Sequence, residues 1–562
     1  MGTVMKKKTL YIACISLLIW ALCVCFGYVS YDVNDDAGMN MAAAGAYGIF
    51  SQYLVYTNIV LGYMIKFFYF IFPGINCYLW FYLITDLFAV IMLALAFSDK
   101  LSIKHSVIIT VFLNFLLAGE FYIHIHYSKS AVLYVVAASI YMIMLFRRDE
   151  KVDKISFSLA SLMLVLGFCV RIQSFESVLP FVFVLFVFGA CALRKTDKLM
   201  RYRLLLIPFA ACVLCFAINY HAYYMTQWRD FKVSDDILIK VRDFGMYDYS
   251  NGSEDYEAEG ITAADFDMIH HWMFNDPETF NEANLRKLES VGEKHNNSGL
   301  GLNMSVLKST VKEFVSRFGN RTLAGLLMVI VLLSLAIGDR WLIAQNIIYA
   351  VLSFAEYYYL IFKGRFFWRV EIIIWLSAVL ISGFIVVDHL SSKIEKKDNI
   401  TELSKRFEKI AVCAVLLFLI ATVFIKSEVM DNSKFTNGDS KYEDFLNIRE
   451  AKGHFVIYNI ADYGMLLGAK DIFDIDRKYA DYYANITEMG GNGNSPSGLY
   501  FAGKAGISNP AKALFENENV FFVSDDEAKD TLMSYLNEKY GPGIDARSVE
   551  VDGVTAWKFY AN

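Results

Sequence analysis

The chain has 562 residues, of which 56% are hydrophobic, 16% aromatic and only 20% charged. Those charges are crowded into a few stretches between long apolar runs, which excludes an ordinary soluble globular protein. A formal net charge of -6, with no stripe rich in lysine and arginine, excludes a nucleic-acid-binding surface.

A helix needs roughly 20 mainly apolar residues to cross a bilayer, and about a dozen windows approach that length. The first, over 10–29, follows Lys6, Lys7 and Lys8. It is longer than a signal-peptide core and has no small-x-small cleavage site, so an uncleaved first helix is expected. The positive-inside rule puts these lysines and the N-terminus in the cytoplasm, and residues from 30 onward outside. Further apolar segments fall at 53–72, 77–97, 106–119, 130–146, 155–170, 178–193, 204–220, 322–337, 341–362, 371–387 and 410–425. The basic connections holding Arg147 and Arg148, Arg194 to Arg203, and Lys393 to Lys397 read as cytoplasmic. If every segment crossed simply, Arg147 and Arg148 would fall on the wrong side. Segment 53–72, interrupted by Gly62 and Lys66, is therefore expected to be interfacial or re-entrant, with about 11–13 transmembrane helices in all.

This gives a transmembrane domain over 1–425, containing a first outer loop at 30–52 and a large, mainly helical outer loop at 221–320. In that loop Thr262 with Asp265 has capping-box chemistry, and Asp276-Pro277 reads as a second helix start. The tail, 426–562, reads as a small extracytoplasmic α/β domain, with strands at 454–460 and 520–523, an amphipathic helix at 527–540 and a hairpin over 549–559 turning at Asp552-Gly553. All nine cysteines fall in apolar segments, so the polar portions form no disulfide.

Three groups of residues could carry chemistry. Asn34-Asp35-Asp36 sets two adjacent carboxylates just beyond the first helix, where one could take a proton from a sugar hydroxyl. The competing reading is that Asn34 or Asp35 caps a helix over 39–50. Second, Arg171, Lys363, Arg365 and Arg369 are cations on the outer side, against the usual charge bias. A lipid-linked phosphate there would compensate, as would snorkelling or anionic lipid head groups. Third, Glu120, His124 and His126 share one outer turn; for a metal site it lacks a further ligand, and contacts to a donor sugar or plain loop polarity are the other readings. Lys66, Asp86 and Glu356 lie inside apolar segments, which fits transport, or a structural Lys66–Asp86 pair. No Walker, GxSxG or HExxH motif is present.

With the first-loop Asn34-Asp35-Asp36, then Asn58 and Gly62, Val170-Arg171, and the basic run from Lys363 through Arg365 to Arg369, the chain resembles the GT-C superfamily of membrane glycosyltransferases. The likeness is to bacterial members that use polyprenyl-phosphate sugars, and it covers the membrane region to about residue 389. It implies a GT-C-like polytopic helical fold in a bacterial cytoplasmic membrane, and an inverting transfer to a glycan, lipid or protein acceptor. An Asp of the first loop, Asp35 or Asp36, would be the general base. Arg365 and Arg369, then Arg171 and Lys363, would hold the lipid phosphate, with Asn34, Asn58, Glu120, His124 and His126 as weaker substrate contacts. Because the carboxylates are adjacent rather than spaced, the resemblance leaves open which one is the base and whether a divalent metal takes part. The rival readings are a flippase or transporter of lipid-linked saccharides, expected to show internal repeats and a charged midplane path, and a non-catalytic cell-envelope assembly partner.

Overall fold

The computed structural model describes residues 2–243, 246–295, 303–364, 366–396, 453–459, 472–473 and 484–561. Arg365 and the apolar segment 410–425 lie outside them. Among the described residues, seven helices are long and apolar enough to cross a membrane: Lys6–Phe26, Cys77–Phe97, Ile103–Ile123, Tyr127–Arg147, Ile172–Leu193, Asp197–Tyr224 and Trp368–Lys393. The protein is thus a polytopic helical membrane protein with a small C-terminal sheet.

In chain order the helices needed here are α1 (Gly2–Phe26), α2 (Asn34–Ala43), α3 (Ile59–Ile71), α4 (Cys77–Phe97), α5 (Ile103–Ala118), α6 (Tyr127–Arg147), α7 (Lys154–Val170), α8 (Ile172–Leu193) and α9 (Leu206–Tyr224). Helix α6 is the bundle's axis. It is apolar all round, because it packs on α4, α7, α8 and the later helix Trp368–Lys396 at once. Gly167 lets α7 approach it closely; a Cβ there would stand 2.7 Å from the Ala131 carbonyl oxygen. Segment 53–72 is helical only over α3, whose 13 residues rise about 20 Å, short of the roughly 30 Å hydrocarbon. Lys66 does not reach Asp86: it donates to Gln52 at 2.8 Å, while the buried Asp86 accepts from Ser130 at 3.1 Å. The suggested Lys66–Asp86 pair is therefore absent.

The region 221–320 continues through α10 (Arg229–Leu238), α11 (Tyr249–Ala258), α12 (Ala263–His270), α13 (Glu282–His295) and α14 (Met304–Asn320), then returns to the bundle with α15 (Thr322–Ile337), α16 (Arg340–Phe362) and α17 (Trp368–Lys396). The tail adds α18 (Leu499–Lys504), α19 (Pro510–Glu516) and α20 (Asp526–Tyr540). Its five-stranded sheet runs β4-β3-β5-β7-β6, from β3 (Phe455–Tyr458), β4 (Ile486–Glu488), β5 (Val520–Val523), β6 (Ile544–Val551) and β7 (Val554–Ala561); β3 is parallel to β4 and β5, and β7 antiparallel to β5 and β6. The hairpin turns at Asp552 (φ 50°) and Gly553 (φ 82°), the positive-φ pair a two-residue hairpin loop requires.

Loop and tail share one hydrophobic core, in which Met268, Phe280 and Leu288 are buried with Ile457, Phe522 and Leu532. The capping box of Thr262 with Asp265 is present, and Asp265 also pairs with Lys539 of the tail at 2.8 Å. Asp276-Pro277 does not open a helix; it opens a turn, and α13 starts at Glu282. The reason is tertiary. The Asp276 carboxylate is buried and accepts from Tyr535 at 2.7 Å, from Asn509 at 2.9 Å and from Tyr540.

Candidate functional site

Two short parallel strands, β1 (Ser30–Tyr31) and β2 (His124–Ile125), fasten the chain leaving α1 to the chain entering α6, and Asp32 N–H continues the ladder to the Ile125 carbonyl at 2.9 Å. Helix α2 starts directly after this pair. Its cap residue is Val33, which makes no side-chain capping bond. Neither Asn34 nor Asp35 is therefore the cap, and the helix expected over 39–50 instead spans 34–43. It puts Asp35 and Asp36 in the first turn, where the helix dipole favours negative charge.

The two carboxylates differ in surroundings. Asp36 is fully buried and accepts from the Tyr78 hydroxyl at 2.8 Å and the Tyr127 N–H at 3.2 Å, while its Oδ2 has no partner among the described residues. Burial drives its pKa well above the usual carboxylate value; the Tyr78 hydrogen bond opposes this and the charge of Asp35 adds to it. Asp35 is half-buried and accepts from the Tyr127 hydroxyl at 3.3 Å. That hydroxyl in turn accepts from Arg171 Nη1 at 2.6 Å. Arg171 sits at the extended break between α7 and α8, with its guanidinium carbon 4.9 Å from the Tyr127 ring centre and 5.5 Å from that of Tyr56. The two rings stack at 6.2 Å and fix the guanidinium by cation–π contact.

Of the remaining cations, Arg369 is close enough for its charge to act on His126 and Tyr127. Lys363 ends α16 at the turn into α17. His126 caps α6 through Nδ1 to the Ser128 N–H at 3.0 Å and stacks on Tyr127 at 4.8 Å, while its buried Nε2 has no described partner. Burial, then the charges of Lys129, Arg369 and Arg171, push its pKa well below the usual imidazole value, so it is neutral.

Glu120 and Asp32 both pair with Lys129, at 2.6 and 3.2 Å; Lys129 is only 1% exposed. His124 contacts Ser30 through Nδ1 at 3.2 Å, so the two histidines of this turn do separate jobs. Asn58 is occupied structurally, capping α3 at the Val60 N–H (3.0 Å) and donating to the Cys215 carbonyl at 3.0 Å. The structure thus brings Asp35, Asp36, Arg171, His126 and Arg369 together around Tyr127 and places Asn58 away from open space. Tyr78, Tyr127 and Lys129 were not anticipated. Lys129 stands just before the apolar run at 130–146, a position where a lysine carries no signal of burial. Among the described residues no three His, Cys, Asp or Glu side chains group as metal ligands.

The C-terminal sheet domain is fastened beside this cluster. Glu488, buried at the end of β4, accepts from Tyr47 at 3.2 Å, from Tyr458 at 2.9 Å and from the Asn492 N–H at 3.2 Å, and so fastens the tail to the chain after α2.

Fold and cluster together define a polytopic membrane protein in which a small C-terminal sheet domain lies against a carboxylate–arginine cluster at one end of the bundle. No protein-family model and no curated protein matches the sequence. Among solved structures, the chain is similar over 98% of its length to 97% of ArnT from Cupriavidus metallidurans in the apo state, with 9% identity and a TM-score of 0.39. The same protein bound to undecaprenyl phosphate gives 10% identity and a TM-score of 0.37 over the same shares of both chains. The apo oligosaccharyltransferase of Archaeoglobus fulgidus gives 12% identity and a TM-score of 0.43 over 95% of this chain and 71% of that one.

Proposed function

We propose that the protein is an inverting glycosyltransferase of the GT-C kind. It would transfer a sugar from a polyprenyl-phosphate carrier to an acceptor at the extracytoplasmic face of a bacterial cytoplasmic membrane. The observation that carries this reading is a half-buried carboxylate, Asp35, one phenol hydroxyl away from a guanidinium, Arg171, at the start of α6. A general base and a phosphate-holding cation are the two groups such a transfer needs.

In this reading Asp35 takes the proton of the acceptor hydroxyl as its oxygen attacks the anomeric carbon from the face opposite the phosphate. The carbon–oxygen bond to phosphate breaks, the configuration inverts, and polyprenyl phosphate leaves. Arg171, Lys363, Arg365 and Arg369 hold the charge that develops on the departing phosphate. Burial raises the pKa of Asp36, which serves as a strut between α2, Tyr78 and the Tyr127 backbone. Pushing two neighbouring carboxyls apart in acidity is a recurring way to give them different tasks.

The test is release of polyprenyl phosphate from a panel of polyprenyl-phosphate sugars by the purified protein in lipid nanodiscs with candidate acceptors. We expect Asp35→Asn to lower turnover by about 10²–10⁴ with donor binding intact, as loss of a general base does. A donor that binds without turnover, or turnover that survives Asp35→Asn unchanged, would overturn the reading, and the buried Asp86 inside α4 would then make transport the leading alternative.

A further inference from the structure

Helix α14 ends in a bend of 89° into α15. Helix α15 packs along α17, one of the helices that cross the membrane, and the two start at one level, where the Arg321 guanidinium lies 3.9 Å over the Trp368 ring. Helix α14 therefore lies across the end of the bundle rather than along it. That end also holds Arg369, the residue after Trp368, whose charge acts on His126 and Tyr127.

The residues of α14 sort around its axis into sectors. Met304, Val311 and Val315 recur at i, i+7 and i+11, within about 40° of one another at about 100° per residue, and all three are exposed. About 40° and 80° round from Met304 stand Lys308 and Lys312, both exposed, and beyond them Ser305, Ser309 and Ser316, exposed as well. The other flank, with Thr310 and Phe314, is buried, and Phe314 packs edge-on against Phe354 and Tyr357 of α16 at 5.3 Å each. The cations divide in the same way. Arg317, on the protein side, is held by Glu313 at 3.2 Å and Glu371 at 3.0 Å. Lys308, Lys312 and Arg321 have no carboxylate partner among the described residues, and Arg321 Nε is buried there without a hydrogen bond.

Protein, apolar stripe, lysines and serines in that order around one helix match a helix lying in a bilayer surface: acyl chains meet the stripe, lysine stems run along it, and their ammonium groups reach the phosphates. Lysine is depleted from protein–protein interfaces but is stabilising at an anionic membrane surface, so two free lysines beside a narrow apolar stripe fit lipid better than a protein partner. We infer that α14 lies in the bilayer surface at the end of the bundle that holds the Asp35 cluster. Met304, Val311 and Val315 sit among the acyl chains, and Lys308, Lys312 and Arg321 hold the phosphates of anionic phospholipids. This lipid-binding surface does not depend on the transferase reading.

The full-length protein is placed in nanodiscs of phosphatidylglycerol mixed with phosphatidylcholine, with benzoyl-phenylalanine at position 311 or at position 309. After irradiation the adducts are identified by mass spectrometry. Position 311 should capture lipid and position 309 should not. Capture of protein alone at 311 would mean that another part of the chain, or a second copy, covers the stripe, and would overturn the inference; so would lipid capture no greater than at 309. After mild detergent extraction, wild type should retain phosphatidylglycerol in preference to phosphatidylcholine. Lys308→Gln and Lys312→Gln should each lower that preference about fivefold, the effect of one cation at an anionic surface. The exposed Lys287 of α13 is the control: Lys287→Gln should change nothing, with melting temperatures alike as a check on folding. No preference in wild type, or one that both α14 substitutions leave unchanged, would overturn the inference.

Discussion

The phenol of Tyr127 lies 3.3 Å from Asp35 and takes a 2.6 Å hydrogen bond from Arg171, so the proposed base and the nearest cation touch the same oxygen. Tyr127→Phe leaves the stacked rings in place and removes only this link. Turnover is expected to fall about 10- to 100-fold, with stability reduced by about 1 kcal/mol, the worth of an ordinary hydrogen bond. Steady-state kinetics beside thermal unfolding separate the two effects; a fall in both by the same proportion would mean that Tyr127 is merely structural.

Lys129 is a buried cation between Glu120 and Asp32. Lys129→Met strands two carboxylates and is expected to cost about 3–5 kcal/mol, with much of it restored by adding Glu120→Gln, because breaking a buried pair is worse than replacing it. Unfolding of the single and double variants in one detergent checks this.

The two buried titratable groups beside the site act at opposite ends of the pH scale. His126 is depressed when folded, so stability is intact above the unfolded histidine value of about 6.5 and falls as pH drops below it. Asp36 is raised when folded, so stability is lost as pH climbs from the unfolded carboxylate value of about 4 through its raised pKa. His126→Gln should flatten the acid limb of a plot of melting temperature against pH, and Asp36→Asn the opposite one. A profile unchanged by either substitution would contradict the burial that drives both shifts.

Gly62 and Gly74 make a matched pair. A Cβ at Gly62 would stand 1.9 Å from the Gln52 carbonyl oxygen, whereas one at Gly74 meets nothing within 4 Å. Gly62→Ala should therefore destabilise by more than about 2 kcal/mol and Gly74→Ala by under about 0.5 kcal/mol, measured as shifts in melting temperature.

Much of the helical framework could be read from apolar run length alone: 77–97 and 322–337 coincide with α4 and α15. Local chemistry also located the Asp552-Gly553 hairpin and the Thr262 capping box. Reading failed where distant residues decide the outcome. The run after Asp36 looked like a helix to residue 50, yet Gly45 (φ 87°) and Gly48 (φ 97°) turn the chain away after α2. Lys129 was passed over because its partner Asp32 is far off in sequence and is delivered by the β1–β2 pairing. Asp35 and Asp36 could be picked out as a pair, but only the fold makes one a half-exposed base candidate and the other a buried strut. Of the basic run that resembled a phosphate grip, Arg369 joins the cluster, whereas Arg365 lies outside the described residues.

The Asp276–Tyr535 hydrogen bond spans 259 residues. When the ribosome has finished the region 221–320, the tail side chains that bond Asp276 have not yet been made, and they follow only after α15 to α17 and the chain beyond them. This set of bonds therefore closes only after residue 540 has been made, and a chain cut before Asn509 leaves the Asp276 carboxylate without the three tail side chains that bury it.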